Sequence, residues 1–294
     1  MKLFAFGIGY SVEAYLRGHA NDWTQMAGTV RSAEKASRLA KSIRNLEAFA
    51  FGGEGAEPGL IERLKEADAL LISVPPRGHD LVLARFAAEI ANSNVARIVY
   101  LSTIGVYGGD DGGWVDETTP PAGRIERARA RIAAENEWLA LARPDRRVFV
   151  LRLAGIYGVG RNALVNLRDG TAKRIVRSGQ VFNRIHTDDI AQAISACFAT
   201  SHIGGVFNVC DDEPAPPQDV VAYGAVLLSV PPPPEIPFEQ ADLSPMARSF
   251  WASNKRVSNR KLKQELGIKL RYPTYREGLA ALRQTLGADE SMAN

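Results

Sequence analysis

The segment KLFAFGIGYSVEAYLR, Lys2 to Arg17, constrains this chain more than any other. An apolar run that reads as a strand leads straight into Gly7-Ile8-Gly9-Tyr10-Ser11-Val12 and then into a helical pattern. In that order a turn aims backbone N–H groups and the positive end of a helix at a pyrophosphate. Gly7 permits the tight turn, and Gly9 lets the backbone come close to the phosphates. Tyr10, Ser11 and Val12 complete the binding segment. Val12 stands where a third glycine would be, so the helix is expected to pack slightly farther from the sheet.

Short apolar runs alternate with amphipathic segments along the chain, the pattern of βαβ units and a parallel sheet. Strands are expected at Lys2–Phe6, Met26–Arg31, Glu47–Phe51, Ala69–Val74, Arg97–Ser102, Arg147–Leu153 and Val206–Cys210, with helices at Asp80–Ala91 and Ile125–Leu141. The fold class is therefore α/β, a Rossmann-type doubly wound parallel sheet with a small C-terminal substrate-binding region. Residues 1–154 and 183–210 form the dinucleotide-binding core, 155–182 and 211–287 the smaller region, and 288–294 a disordered tail. Within the smaller region SVPPPPEIPFE, Ser229 to Glu239, suits a stiff connector and neither a helix nor a central strand.

With 294 residues, 46% of them hydrophobic and 23% charged, the chain has the composition of an ordinary globular protein. A net charge of +3 is too small for an electrostatic footprint on nucleic acid. No apolar stretch approaches the ~20 residues of a membrane span, so no membrane partner is expected. Cys197 and Cys210 lack metal-ligand or redox spacing, which fits a reduced, cytoplasmic protein without a metal.

The second strand ends in GTVRS, where an NAD-binding chain places an acid on the ribose 2′-hydroxyl. Arg31 and Ser32 offer a cation and a hydroxyl instead, which suits a 2′-phosphate and favours NADP over NAD. Ser73, Val74 and Pro75 end the fourth strand at the carboxyl edge, where ligands sit in open α/β sheets, and form a stiff wall beside the cofactor.

Five further segments, in order, carry a family resemblance: VYLSTIGVYG (Val99–Gly108), RLAGIYGVGR (Arg152–Arg161), RIHTDDIA (Arg184–Ala191), FNVCDDEP (Phe207–Pro214) and NKRVSNRKLKQELG (Asn254–Gly267). Together they resemble extended short-chain dehydrogenase/reductases, the NAD-dependent epimerase/dehydratase group, over nearly the whole chain. The resemblance implies that Thr103, with Ser102 beside it, holds the reacting oxygen. It also implies a catalytic Tyr and Lys four apart on the following helix, with a glutamate four after the lysine. With Glu135 as that glutamate, Arg127 occupies the tyrosine slot and Arg131 the lysine slot. The chain resembles an atypical member that lacks the Tyr-x-x-x-Lys pair.

Arginine stays protonated and cannot accept the proton that a tyrosine relay handles. Arg124, Arg127 and Arg131, at i, i+3 and i+7, either present guanidinium forks to an anion in the cleft or face water. Tyr107 and His186 are the candidates for the displaced proton chemistry, with Thr187 expected to cap the helix after His186. Phe182 stands where the resemblance implies an arginine that grips a nucleotide diphosphate, with Arg184 two residues on. The expected function is an NADP-dependent oxidoreductase or epimerase-like enzyme on a small anionic or sugar-like substrate. A catalytically silent NADP(H)-binding sensor or regulatory protein is the alternative. The resemblance also implies a homodimer through the 80s and 125–141 helices.

Overall fold

The computed structural model describes residues 1–52, 57–109 and 111–292. The chain opens with β1 (Lys2–Phe6), α1 (Tyr10–Gly18), β2 (Gln25–Val30), α2 (Ala33–Ser42), β3 (Leu46–Ala50) and α3 (Pro58–Lys65). It continues with β4 (Ala69–Ile72), α4 (Leu81–Ala91), β5 (Arg97–Thr103), β6 (Trp114–Val115), α5 (Glu126–Leu139) and β7 (Arg147–Leu153). Next come β8 (Gly155–Tyr157), α6 (Ala163–Arg168), β9 (Arg174–Val176), β10 (Arg184–His186), α7 (Thr187–Ala199) and β11 (Gly204–Val209). The C-terminal part holds α8 (Pro217–Leu228), β12 (Glu235–Pro237), α9 (Pro245–Trp251), β13 (Arg256–Val257), α10 (Arg260–Leu266) and α11 (Tyr275–Met292).

The seven strands expected from the sequence form one sheet, in the order β11-β7-β5-β4-β1-β2-β3. Every pairing in it is parallel. Leu3 and Ala5 point into a core shared with α1, α2, α7 and α10, whereas Phe4 and Phe6 point into one shared with α3, α4 and α5. Helices on both faces explain why these strands read as continuous apolar runs and not as alternating ones. Phe6, Phe51 and Phe86 cluster on the second face, and each such buried ring contributes roughly 1.5–3 kcal/mol. The strand order reverses between β1 and β4. Loops leaving those strands diverge there and open the crevice in which open α/β sheets hold ligands.

Two satellite cores lie outside the sheet, one around Tyr157, Leu164, Val220, Tyr275 and Leu279, the other around Ile175 and Trp251 with Phe182 and Phe238. Val257, Leu262, Ile268 and Leu270 instead join the large core on the α1/α7 face, so the segment 257–270 packs with the sheet and not with the smaller region expected to contain it. The proline-rich connector supplies β12, which pairs only with β9 in a two-stranded ribbon, an edge position that proline tolerates. Helix α11 runs through Met292, over most of the tail expected to be disordered, while 293 and 294 lie outside the described residues. No helix among the described residues is long and apolar enough to cross a membrane.

Candidate functional site

The glycine turn sits at the strand-order reversal. Gly7 has φ +87°, and a Cβ there would lie 3.0 Å from Val74 Cγ2 and 3.1 Å from the Val74 nitrogen. Backbone conformation and close approach of the β4 exit therefore both require glycine. Its N–H donates to Thr29 Oγ1 (2.9 Å), and the Ile8 N–H donates to the Thr29 carbonyl (2.7 Å), so buried Thr29 on β2 braces the turn. Gly9 is different. It is the N-cap of α1 without a side-chain cap, and a Cβ on it would meet nothing within 4 Å. The first-turn N–H groups of Tyr10, Ser11 and Val12 thus have no side-chain cap, and the space over Gly9 is open, a cradle that suits a diphosphate. Val12 is fully buried in the core, and the Tyr10 hydroxyl tethers the turn by donating to the Val159 carbonyl (2.8 Å). Ser73 donates its N–H to the Phe6 carbonyl (2.8 Å), which aligns the Ser73-Val74-Pro75 wall beside Gly7.

At the far end of the crevice Arg31 is exposed, and Ser32 caps α2 by accepting from the Lys35 N–H (3.3 Å). Lys35, which the sequence reading did not single out, lays its Nζ 2.8 Å from the Ile8 carbonyl and 3.9 Å from Glu13 Oε2. The signal was present only as proximity in sequence: Lys35 lies in the first turn of α2, four residues after Arg31.

The proton-relay expectations fare differently. Ser102 is buried and donates to Glu135 Oε1, so its hydroxyl is spent inside the protein and not on a cofactor. Glu135 also accepts from Arg152 Nη2 (2.7 Å) and Nε (3.1 Å). Arg152 Nη1 donates to the Tyr107 hydroxyl (2.8 Å), which itself donates to Asn208 Oδ1 (2.9 Å). Tyr107 is thus 3% exposed with its donor and acceptor both engaged, and burial raises its pKa. That corrects its assignment as the substitute acid. Glu117, from the glycine-rich loop, closes the same network by accepting from the Asn208 N–H (2.6 Å); Asp110 of that loop lies outside the described residues.

The three arginines do not form one fork-bearing face. Arg124 precedes α5, whose N-cap is Ile125; Arg127 lies over the Phe250 ring at 5.1 Å; Arg131 donates to the Tyr100 hydroxyl (2.8 Å) and the Leu101 carbonyl (3.2 Å). Arg131, half-buried at the end of β5, is the one that reaches the strand bearing Thr103. Thr103 is half-buried too, and its Oγ1 accepts from the Gly105 N–H (3.0 Å), leaving its own proton to donate.

His186, not Thr187, is the N-cap of α7: its Nδ1 accepts from the Asp188 N–H (3.1 Å). Burial lowers its pKa, and its ring is wedged edge-on between Tyr157 and Tyr272. Phe182 packs on Trp251, so no cation stands where a diphosphate-gripping arginine was implied. Lys255 went unnoticed in the sequence because it lies in a polar run with no pattern around it. It is 6% exposed, and its Nζ donates to Ser253 Oγ (2.5 Å) and the Tyr107 carbonyl (3.4 Å). Burial, with no carboxylate acting on it among the described residues, pushes its pKa down to about 8.

No family model matches this sequence, and no curated protein does. Among solved structures, a functionally unknown conserved protein from Silicibacter pomeroyi superimposes with a TM-score of 0.86 at 43% identity, over 97% of this chain and 99% of that one. The chain belongs to that protein's family. MoeE5 in complex with UDP-glucuronic acid and NAD matches with a TM-score of 0.77 at 20% identity, over 98% of this chain and 100% of that one. UDP-glucuronic acid 4-epimerase from Bacillus cereus in complex with NAD gives 0.76 at 15% identity, over 97% and 96%. Both of these more distant neighbours hold NAD, and at such identities they establish the shared fold.

Proposed function

We propose that this protein is an NADP-dependent oxidoreductase or epimerase-like enzyme of the epimerase/dehydratase group, acting on a small anionic or sugar-like molecule. The observation that carries the reading is the Gly7-Ile8-Gly9 turn, with uncapped first-turn N–H groups and open space over Gly9 at the reversal of strand order. Residues 1–154 and 183–210 would hold the dinucleotide, with residues 155–182 and much of 211–287 on the substrate side. NADP is preferred because Arg31 follows β2 where the 2′-phosphate would lie, with Lys35 a further cation held on the Ile8 carbonyl, although the named neighbours carry NAD.

The bound dinucleotide would supply a hydride donor or acceptor. Thr103 donates to the reacting oxygen, and Arg131 holds charge beside it. Lys255, buried beside the Tyr107 carbonyl and with a depressed pKa near working pH, is our candidate to give or take the proton. A catalytically silent NADP(H)-binding protein is the second reading. It is favoured by the arginines in both relay slots and by the locked Tyr107 hydroxyl.

Calorimetry with NADP and NAD tests the proposal. A charge-assisted contact to the 2′-phosphate contributes roughly 1.5–3 kcal/mol, on the order of ten- to a hundredfold in affinity. Gly9→Val should abolish binding of both while the fold survives, since the new side chain meets only open space. Normal binding by that variant would refute the dinucleotide reading, and turnover across a panel of carbonyl and sugar substrates separates enzyme from sensor.

A further inference from the structure

A cavity of about 330 Å³ opens between α6, α8 and α11, walled in part by Tyr157, Arg161, Asn162, Lys173, Arg184 and Tyr275. Its wall carries three cations and no acidic side chain among the described residues. Arg184 is fixed by its Nη1, which donates to the Phe182 carbonyl (2.8 Å) and the Ala215 carbonyl (3.1 Å); its Nε and Nη2 make no hydrogen bond to a described residue. The acids nearby are held elsewhere: Glu213 binds Arg276, and Asp188 binds Arg271. Asp211, beside Arg184, has its pKa raised by burial to about 8.

Buried polar groups without partners gather at the same place. The Tyr157 hydroxyl, His186 Nε2 and Asp211 Oδ2 are all buried with no hydrogen-bond partner among the described residues. They are neighbours: Tyr157 pairs with His186 across β8 and β10, and the Asp211 N–H donates to the Arg184 carbonyl (2.7 Å). A Cβ at Gly278 would overlap the Tyr157 hydroxyl, so α11 leaves room for a hydroxyl that binds nothing in the protein. Of Tyr157, His186 and Asp211 only Tyr157 belongs to the cavity wall, so the guest-binding groups are the wall's own cations, and Arg184 in particular keeps donors that no described residue takes up.

We propose that this cavity binds a small oxyanion, a carboxylate or a phosphate group, on the free guanidinium edge of Arg184, with Arg161 and Lys173 at the rim. Arg161 also lies over the Tyr10 ring at 5.8 Å, so the rim adjoins the first residue of α1. Planar donors on Arg184 match either oxyanion bidentately.

The full chain, in chloride buffer without dinucleotide, is titrated by calorimetry with inorganic phosphate in one arm and acetate and malonate in another. Saturation by one class with Kd below ~10 mM is expected; phosphate alone identifies a phosphate monoester ligand, carboxylates alone a carboxylate ligand. Arg161→Gln, Lys173→Gln and the two together, which leave buried Arg184 in place, should each weaken binding at least about three- to tenfold, the range of one rim charge. Failure of both classes to saturate, or undiminished binding in all three variants, overturns the proposal. Gly9→Val should bind the anion normally, so loss of this site and loss of the dinucleotide reading are separate outcomes.

Discussion

Replacing Lys255 with Met should make the protein more stable at neutral pH while removing the group assigned to proton transfer. The ammonium is 6% exposed, and burial takes its pKa from 10.5 to about 8. At about 1.4 kcal/mol per unit, the protonated side chain carries about 3 kcal/mol of desolvation. Methionine of similar length removes that cost but loses the contacts to Ser253 Oγ and the Tyr107 carbonyl, about 1 kcal/mol each. The net gain at pH 7 is about 1–2 kcal/mol, or about 2–6 °C in Tm for a chain of this size. The sign with pH is fixed by the depressed folded pKa. Between about 8 and 10.5 the unfolded chain binds more protons than the folded one, so the wild type gains stability as pH rises through that window. The advantage of Lys255→Met is therefore full below pH 8, is gone at about pH 9, and is reversed by 10.5, where only the lost contacts remain. Thermal melts of both proteins from pH 6 to 10.5 read it directly. A variant less stable than wild type by the same amount at every pH would refute the account, because Lys255 would then be a satisfied structural lysine. Higher stability together with lost turnover is the pattern of a group kept for function.

Glu135→Leu should destabilise the protein by ~3–5 kcal/mol, because it leaves the Arg152 guanidinium buried without its carboxylate; denaturant melts reporting less than 1 kcal/mol would show the pair to be dispensable. Tyr107→Phe should cost ~1–3 kcal/mol through the orphaned Asn208 and Arg152 partners, yet leave any turnover within a few-fold of wild type. A hundredfold fall in kcat with stability unchanged would restore Tyr107 as the acid. Arg31→Ala and Lys35→Ala together should bring NADP affinity down to that for NAD, with calorimetry as the measure, whereas an unaltered preference would move the 2′-phosphate elsewhere.

The sheet was legible in the sequence because strands buried on both faces have to be apolar runs, and Leu3, Phe4, Ala5 and Phe6 are all at most 2% exposed. The glycine turn was legible because a tight turn and a close backbone approach restrict residue type, and Gly7 and Gly9 lie two residues apart in the chain. Cap and partner choices were less so: His186 outcompetes Thr187 as the cap of α7, since buried between Tyr157 and Tyr272 its ring nitrogen has the Asp188 N–H within reach. What the sequence determined by itself is the chemistry contiguous along the chain, namely the turn, the cations after β2 and the absence of Tyr and Lys from α5. Only the tertiary structure decided which side chains are already spent. Tyr107 meets Asn208 across 101 residues, and Lys255 meets the Tyr107 carbonyl across 148. Whether a hydroxyl or an ammonium is free to react depends on the partners and burial brought to it by distant segments, and local pattern carries no record of them.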